Sequence, residues 1–571
     1  MADTTFIDRS TPIVADWLND VNDTVYGLPS TASGKGAALV GSEDAGGYYT
    51  GTTAEAQLQE IGGMVPGAVR TMLSFIPEAY RAAIIAGTST QDVTSYINTA
   101  LSTVNAVLMT DGLYNVTGFN VPAGKRLLTT GQGVVIQQVA GQAVGTRVIR
   151  VTGSNVVIGD LYIKGNISTD TDEQQHAIFV QSNATNGNID NIRIGDIKGE
   201  NIRGDVLYIG AASTYLTTHV KFGRIVGKNV LRNVVSIAGA QYVTGDAVIC
   251  DTAAGYATLD IEPDAVTTTD ISIGYVRGGV LQCAPPNVAN VAKRISIGIA
   301  DLNPSYQANS TPTYTGYTAQ IVNAVWLRNT VGIHIDYLRI SGHTGLGVKY
   351  VFNVGEQRGQ GIDIGYLDAS SIGASEATYN AIIEASAVDS ITIHDGSVAH
   401  QAVGKAIIQG DSSGSTFTRC IMDRIVVDGR VAKFVQKSRF SNIRINSTNA
   451  TSAFTNCDDC TIMDSDITLP TLIGFSARPV FVNVIASCST AYFSTVTDAT
   501  RINCTFGANT VGFTTMRATS TAETGEVSIG STTATTVGAA GAASALPANP
   551  RGYLTAYIPG VGLAKLPYYN P

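Results

Sequence analysis

The chain has 571 residues, of which only 14% are charged and 60 are glycine, and its formal net charge is −9. This acidic balance argues against a nucleic-acid-binding protein, because phosphate binding needs clustered Lys and Arg side chains. The N-terminus shows no basic segment followed by an apolar core, and no apolar stretch approaches the roughly 18 residues of a membrane span. The sequence therefore predicts a soluble protein without membrane insertion.

The cysteines predict a protein that folds in a reducing compartment. They are odd in number and thinly spread, unlike the disulfide framework of a small secreted domain. A single Cys-x-x-Cys pair at 457 and 460 has no second pair or histidine near it, so no metal site and no cofactor are expected. We interpret all seven as small buried apolar side chains: Cys250, Cys283, Cys420, Cys457, Cys460, Cys488 and Cys504.

The first predicted element is a short helix over 11–26. Thr11 is placed to cap it and Pro12 occupies the first helical position. Four apolar residues then recur at a spacing of four, which places them on one stripe: Ile13, Trp17, Val21 and Val25. So short a helix does not bury that stripe by itself, which indicates partner copies or a docking surface.

A second helix is predicted over 92–101, directly before turn-rich strands at 110–116 and 121–125. Beyond it, a strand with alternating apolar residues recurs at 156–161, 192–197, 271–276, 295–298, 333–338, 362–367 and 391–394. Most of the starts lie roughly 24–38 residues apart, the period of a stacked-coil solenoid. The helix would then cover the open end of the coil, where strand edges and apolar core are exposed.

A second class of strand lies between the first, at 178–180, 206–209, 234–237, 258–261, 280–283, 326–328, 351–354, 382–385, 407–410 and 434–436. Two strand classes in one repeating order predict an all-β fold of stacked coils with distinct faces, a parallel β-helix. The stretch 301–318, with two prolines and several tyrosines, interrupts the period and is predicted to be a loop. Beyond about 510 the repeat fades.

The two ends and the start of the coil resemble a known family. Segments 11–26 and 55–62 resemble the particle-binding segment of bacteriophage tailspikes and tail fibres, and the last twenty residues resemble their terminal strand pair. The order of helix and strands from 92 to 125 resembles the beginning of pectate-lyase-like right-handed β-helices. The resemblance implies a homotrimeric tailspike, made in the host cytoplasm and located in the virion tail.

The same resemblance implies four regions. They are a virion-attachment segment (1–65) that binds a phage tail or baseplate protein, a linker with the capping helix (66–115), the parallel β-helix (116–510) and a C-terminal trimerisation cap (511–571). Its partner on the host side would be a bacterial surface polysaccharide, capsule or O-antigen.

The second strand class predicts a binding surface. If its strands stack in register, the residue after each core position points outward on every turn, since side chains alternate. This column has the polar and aromatic groups that bind sugars. Its predicted members are Phe179, Tyr208, Ser236, Asp260, Gln282, Arg328, Asn353, Glu384, Gln409 and Gln436.

Two carboxylates in this column are the predicted catalytic pair. Asp260 and Glu262 lie at i and i+2, about 6–7 Å apart along one strand. Close carboxylates suit general acid and base or nucleophile roles in glycoside hydrolysis, although spacing alone does not choose between retention and inversion. The segment also resembles the active-site strand of pectate-lyase-like phage depolymerases. Asp264 and Asp251 are supporting candidates by position.

The predicted function is endo-glycosidic hydrolysis of a bacterial surface polysaccharide. Glu384 lies about four turns, or about 19 Å, from Asp260, so it is expected to bind a distant sugar. The alternatives are a non-enzymatic receptor-binding fibre, a structural virion protein without a glycan site, and a polysaccharide lyase. A lyase needs a base such as His343, Lys349 or Tyr350, but no carboxylate lies between 338 and 354 to hold a metal.

Overall fold

A computed structural model describes residues 69–143, 145–167, 174–264, 266–283, 290–306, 323–343, 348–351, 361–370, 381–386, 390–399, 406–410, 417–428, 430–446, 453–469, 478–488, 499–502, 504–506, 516–517, 552–558 and 562–568. The attachment helix predicted over 11–26 lies outside these residues, and so does most of the loop predicted over 301–318. The chain separates into two compact units, Met1–Tyr256 with Asn309–Thr318 and Ala257–Ala308 with Ala319–Pro571.

The described residues of the first unit form two helices and two sets of parallel strands. Its helices are Glu78–Ile85 and Thr94–Thr103, preceded by a 3-10 turn at Met72–Phe75. We call the larger set the major sheet, with strands Val69–Thr71, Ala106–Met109, Gly112–Val116, Arg126–Thr129, Val134–Gln138, Val156–Ile158, Leu161–Lys164, Ile189–Ile194, Ile197–Ile202, Thr217–Val230 and Ala240–Ala254. The smaller set is the minor sheet, with strands Phe119–Val121, Ile149–Val151, Ile178–Ser182, Leu207–Ala211 and Val235–Ala238.

The helix predicted over 92–101 is present as Thr94–Thr103. The carboxylate of Asp92 accepts a hydrogen bond from the N–H of Thr94 at 2.9 Å, which satisfies one of the free donors at the helix start. Its inner face buries Ile97, Ala100 and Leu101. The helix packs on the early strands of both sheets, including Ala106–Met109 and Phe119–Val121. It therefore covers apolar core at the first coil, as the sequence predicted.

The register of the first unit follows the apolar columns. In the minor sheet Ile178, Leu207 and Val235 are consecutive partners, and all three side chains are buried. In the major sheet Val156, Ile192 and Val220 align in the same way. Each β-branched or Leu side chain thus stacks on a similar one in the next coil, and this stacking keeps water from the interior.

A Gly-Asp pair at the corner of the major sheet explains part of the repeat. The carboxylate of Asp160 accepts the N–H of Asp196, and the carboxylate of Asp196 accepts the N–H of Arg224, both at 2.8 Å. A side chain at Gly195 would collide with Oδ1 of Asp160. The Ile-Gly-Asp motif therefore places a carboxylate over the backbone of the next coil, and only glycine leaves it room.

The second unit repeats the two-sheet arrangement. Its major sheet has strands Thr268–Gly278, Ala292–Leu302, Thr330–Ser341, Ile362–Ser370, Ile391–Ala399, Cys420–Asp423, Ile425–Val427, Arg439–Ser441, Arg444–Asn446, Thr461–Met463, Asp466–Leu469, Val480–Val482, Ile485–Cys488, Ala499–Ile502, Thr505–Phe506 and Met516–Arg517. Its minor sheet has strands Leu259–Ile261, Leu281–Cys283, Val325–Arg328, Val348–Val351, Ala381–Ser386, Ala406–Gly410, Arg430–Lys433 and Phe454–Thr455. A 3-10 turn, Pro304–Tyr306, follows Leu302.

One strand predicted for the minor sheet was wrong, and another can be compared only at Val351, because 352–354 lie outside the described residues. The strand expected at 351–354 is Val348–Val351, and the one expected at 434–436 is Arg430–Lys433. Val435–Gln436 instead pairs with Phe417–Thr418, so Gln436 is not part of the predicted column. Apolar residues also occur in the connecting segments here, and alternation alone does not separate them from the strand. The terminal pair is confirmed as an antiparallel hairpin, Gly552–Ile558 with Gly562–Tyr568.

The chain is an all-β right-handed parallel β-helix, as the sequence predicted. The expected burial of the cysteines is confirmed for Cys250, Cys283, Cys420, Cys457 and Cys460. None of the helices in the described residues is long and apolar enough to span a membrane. The four region boundaries and the trimer remain predictions.

Candidate functional site

Three members of the predicted column align in the minor sheet of the first unit. Phe179 pairs with Tyr208, and Tyr208 pairs with Ser236. The rings of Phe179 and Tyr208 stack on each other, with centroids 5.1 Å apart and planes at 17°. The predicted alignment is therefore correct for this unit.

The predicted platform for a sugar ring, however, is closed. Phe179 is only 6% exposed, the guanidinium of Arg147 lies 4.7 Å from its centroid, and the imidazole of His176 stacks on both aromatic rings. Neighbouring strands lie about 4.8 Å apart, so aromatic rings in register fill the space between coils with each other. Phe179 is thus a packing residue here, and Ser236 is buried as well.

A buried charged group lies beside these rings. Asp205 is fully buried, and its Oδ1 accepts the N–H of Asn233 at 3.0 Å and lies 3.8 Å from Nε of Arg232. Burial by itself raises the pKa of Asp205, but the guanidinium of Arg232, the imidazole of His176 and the N–H of Asn233 outweigh it and hold the pKa at about 2. His176 is neutral, since burial lowers its pKa and its Nδ1 accepts the N–H of Asp205. The group stabilises the fold and is closed to ligands.

In the second unit the register corrects the predicted column. Asp260 pairs with Gln282, Gln282 with Trp326, Trp326 with Lys349, and Lys349 with Glu384. Arg328 lies two residues beyond Trp326, so it was wrongly assigned to this column.

The far end of the column agrees better with the prediction. Glu384 pairs with Gln409, and Glu384 lies four coils from Asp260, as expected. Asn353 lies outside the described residues. Gln282 and Gln409 are buried, whereas Glu384 is partly exposed. The column is therefore largely covered, and the prediction that it faces solvent along its length was wrong.

The two predicted catalytic carboxylates have different surroundings. Asp260 lies in the strand Leu259–Ile261 and is 1% exposed, whereas Glu262 follows the strand and is partly exposed. Asp264 is also partly exposed, and its carbonyl oxygen accepts the amide of Asn290 at 2.6 Å. Asp251 is exposed and belongs to the first unit, near the end of the strand Ala240–Ala254.

An open groove of about 580 Å³ lies on the outer side of the major sheet in the second unit. It follows the starts of four strands of successive coils, where two glycines, Gly332 and Gly361, leave the backbone uncovered. The polar residues that line it are His334, Asp363, Ser390, Thr392 and Arg419. This volume is in the range of pockets that take small organic ligands.

A chain of hydrogen bonds between histidines and carboxylates borders the groove. His334 Nε2 lies 2.6 Å from Oδ1 of Asp336, and His334 Nδ1 lies 3.0 Å from Oδ2 of Asp363. The other oxygen of Asp363 lies 2.7 Å from Nε2 of His394. A neutral imidazole has one N–H, so bonding to two carboxylates favours the doubly protonated ring. Partial burial lowers the pKa of His334, but the hydrogen bonds to Asp336 and Asp363 outweigh it and raise that pKa.

Two further ladders run along the same strands. Tyr337 and Tyr366 are register partners, and their rings stack with centroids 5.1 Å apart and planes at 3°. They therefore present ring edges and hydroxyl groups to a ligand instead of ring faces. Two residues further along, charges alternate from coil to coil, and Arg339 Nε lies 3.2 Å from Asp368 Oδ2. These charges pair with each other, so the ladder has little net field.

Sequence reasoning missed the groove, although one signal was present. His334 and Asp363 each follow the first Ile of an Ile-x-Ile strand, the motif that defined the first strand class. Alignment of that motif places both residues in one column, next to Thr392. The glycine before each of the two motifs then marks the uncovered floor.

Of the residues considered for a lyase, His343 is buried. His343 is 1% exposed, and burial lowers its pKa to about 4, so it is neutral and sealed from a substrate. Lys349 and Tyr350 lie in the strand Val348–Val351. Within the described ranges, no group of three or more His, Cys, Asp or Glu side chains has an arrangement that fits a metal ion.

No protein-family model matches the chain, and no curated protein matches its sequence. Solved structures that it resembles include tailspike protein 3 of bacteriophage CBA120, with a TM-score of 0.32 and 11% identity over 96% of this chain and 74% of that chain. The A-module of mannuronan C-5 epimerase AlgE4 from Azotobacter vinelandii has a TM-score of 0.25 and 11% identity, covering 79% of this chain and 100% of that one. Pre-mature gene product 12 of bacteriophage phi29 has a TM-score of 0.31 and 12% identity, covering 78% and 73%. Values this low give no indication of function.

Proposed function

We propose that this protein is a phage tailspike that binds a bacterial surface polysaccharide, capsule or O-antigen. It would hydrolyse internal glycosidic bonds of that polysaccharide. The observation that supports this most directly is the groove of the second unit. It brings an imidazole, a carboxylate, two hydroxyl side chains and a guanidinium together over bare backbone. Hydroxyl-rich ligands need many donors and acceptors at close spacing, and this set provides both.

For catalysis we propose Asp260 and Glu262, with Asp264 in support. Asp260 would act as the general acid, and Glu262, which is partly exposed, would act as the base or nucleophile. Asp260 acts on a sugar only if the residues that cover it move aside.

Binding without cleavage is the second candidate, because Asp260 is only 1% exposed. In that case the same protein is a receptor-binding fibre. In the minor-sheet column, Glu384 and Tyr208 are partly exposed and remain proposed sugar contacts. Arg328, which lies outside that column, and Asn353 remain proposed contacts as well. The buried members Phe179, Ser236, Gln282 and Gln409 would support these contacts from below.

The remaining parts of the proposal concern assembly. Residues 1–65 would attach the protein to a phage tail or baseplate protein, and three chains would join through residues 511–571. The protein would be made in the host cytoplasm and carried in the virion tail.

The test is digestion of host polysaccharide with purified wild type, Asp260→Asn and Glu262→Gln. We expect falling viscosity and new reducing ends with wild type, and a loss of about 10² to 10⁴ in rate for each variant. Polysaccharide that binds the wild type but stays uncut supports the receptor-binding fibre. Products that absorb in the ultraviolet as unsaturated uronates would replace hydrolysis by elimination. Absence of both binding and cleavage would overturn the proposal.

A further inference from the structure

The groove exists because one column of side chains has a gap. One position of the major sheet recurs in each coil, immediately before the first residue of the Ile-x-Ile stretch or of Cys420–Asp423. The residues at this position follow one another as Asp270, Arg294, Gly332, Gly361, Ser390 and Arg419. Asp270, Arg294 and Arg419 all have positive φ, so this position accepts side chains. Gly332 and Gly361 have positive φ as well but no side chain. The gap at Gly332 and Gly361, between Arg294 and Ser390, is therefore set by residue choice and not by the fold.

Two arginines of this column, Arg294 and Arg419, differ in their partners. Arg294 is held by Asp270, with Nε and Nη2 each 2.6 Å from a carboxylate oxygen. The guanidinium of Arg419 has no hydrogen-bond or ion-pair partner among the described residues, and its side chain is exposed at the groove. Arg419 thus provides a cation with unused N–H donors in the fork geometry that matches a carboxylate.

The carboxylate that lines the groove does not cancel this charge. Both oxygens of Asp363 are engaged, one by His334 and the other by His394, and the second nitrogen of His334 is engaged by Asp336. Asp363 is thus hydrogen-bonded to two histidines, and the guanidinium of Arg419 is not among its partners in the described part of the chain.

We propose that the groove binds an acidic sugar unit, with the sugar carboxylate at Arg419 and its hydroxyls at Ser390, Thr392 and Asp363. The inference rests on the proposed polysaccharide binding and specifies its ligand as a uronic-acid type of residue. Ser390 and Thr392 lie between Arg419 and Asp363 in the groove lining and have no charge of their own. One end of the site therefore selects an anion, and the rest matches sugar hydroxyls.

Binding is also expected to depend on pH. The groups that face His334 are Asp336 on its own strand, Asp363 on the next strand and Ser296 on the previous one, with His394 and Arg419 beyond. The hydrogen bonds to Asp336 and Asp363 raise the pKa of His334 against the effect of burial. Above that raised pKa the proton is lost and two carboxylates repel the ligand. A change of one unit charge close to the ligand changes its affinity about threefold or more. The affinity for the acidic sugar therefore falls as the pH rises.

The experiment compares D-glucuronate with D-glucose by calorimetric titration of the full chain. We expect glucuronate to bind about tenfold more tightly than glucose, as a charge-assisted contact implies. Arg419→Gln should remove that difference, whereas Arg294→Gln, the matched arginine of the same column, should leave it within about twofold. Gly332→Asn adds a side chain that tolerates positive φ, and it should weaken both sugars.

Equal binding of glucuronate and glucose, or an unchanged preference in Arg419→Gln, would overturn the acidic-sugar site. A preference that does not weaken between pH 5.5 and 8 would remove the role of His334. Cleavage of host polysaccharide without any glucuronate preference leaves the proposed function standing and rejects this site. Glucuronate binding by a protein that neither binds nor cuts host polysaccharide rejects the proposed function alone.

Discussion

Replacement of Asp205 by Asn tests whether the buried charged group in the first unit stabilises the fold. The pKa of Asp205 is about 2, against a usual value of 3.8, and one pKa unit corresponds to about 1.4 kcal/mol. The ionised form therefore contributes on the order of 2 kcal/mol to the free energy of unfolding at neutral pH. Asp205→Asn keeps an oxygen for the N–H of Asn233 but removes the negative charge that lies 3.8 Å from Nε of Arg232.

The sign of the pH dependence follows from the lowered pKa. A carboxyl group whose pKa is lower in the folded state stabilises the fold above its unfolded value, and that stability is lost as pH falls from about 4 to about 2. Guanidinium denaturation followed by circular dichroism should therefore separate wild type and Asp205→Asn at pH 7 and bring them together near pH 2. The control is Asp190→Asn, whose exposed carboxylate pairs with exposed His219 and is expected to contribute less than about 1 kcal/mol. An equal gap between wild type and Asp205→Asn at both pH values would refute the reasoning.

Three further predictions concern the corner, the histidine chain and assembly. Gly195→Ala should lower the free energy of unfolding by about 1–3 kcal/mol, because its methyl group meets the Asp160 carboxylate. A double variant with Asp160→Ala should recover part of that loss. If the losses of the two single variants simply add in the double variant, the collision is contradicted. Asp363→Asn should lower the pKa of His334, measured by NMR titration of labelled histidines, and an unchanged pKa would show that the hydrogen bond has no effect. Light scattering should give three times the chain mass of 59.6 kDa, whereas a single-chain mass would exclude the trimer.

The sequence predicted the strand classes well because their signal is local. Ile271, Ile295, Ile333 and Ile362 alternate with polar residues, and the structure places them in one buried column of the major sheet. The capping helix could be predicted equally well, since Asp92 and the apolar residues that follow it lie close together in sequence. Such features depend on neighbours in sequence, and side-chain alternation reports them directly.

The catalytic pair shows where this local signal ends. Spacing placed Asp260 and Glu262 on one face of a strand, and the strand Leu259–Ile261 is present. Spacing carried no information on what covers that face, and Asp260 proved to be buried while Glu262 is partly exposed. Burial depends on segments that are distant in sequence, so it is a property of the assembled coil.

The sequence by itself determined the period, the alternation and hence the β-helix, because each depends on residues within a few positions of one another. Only the tertiary structure decided the register. Trp326 and Arg328 lie on the same side of one strand, so alternation does not distinguish them, and the pairing of Gln282 with Trp326 does. The same holds for the groove, where Gly332, Gly361 and Arg419 become neighbours only when packing of the apolar interior fixes how successive coils align.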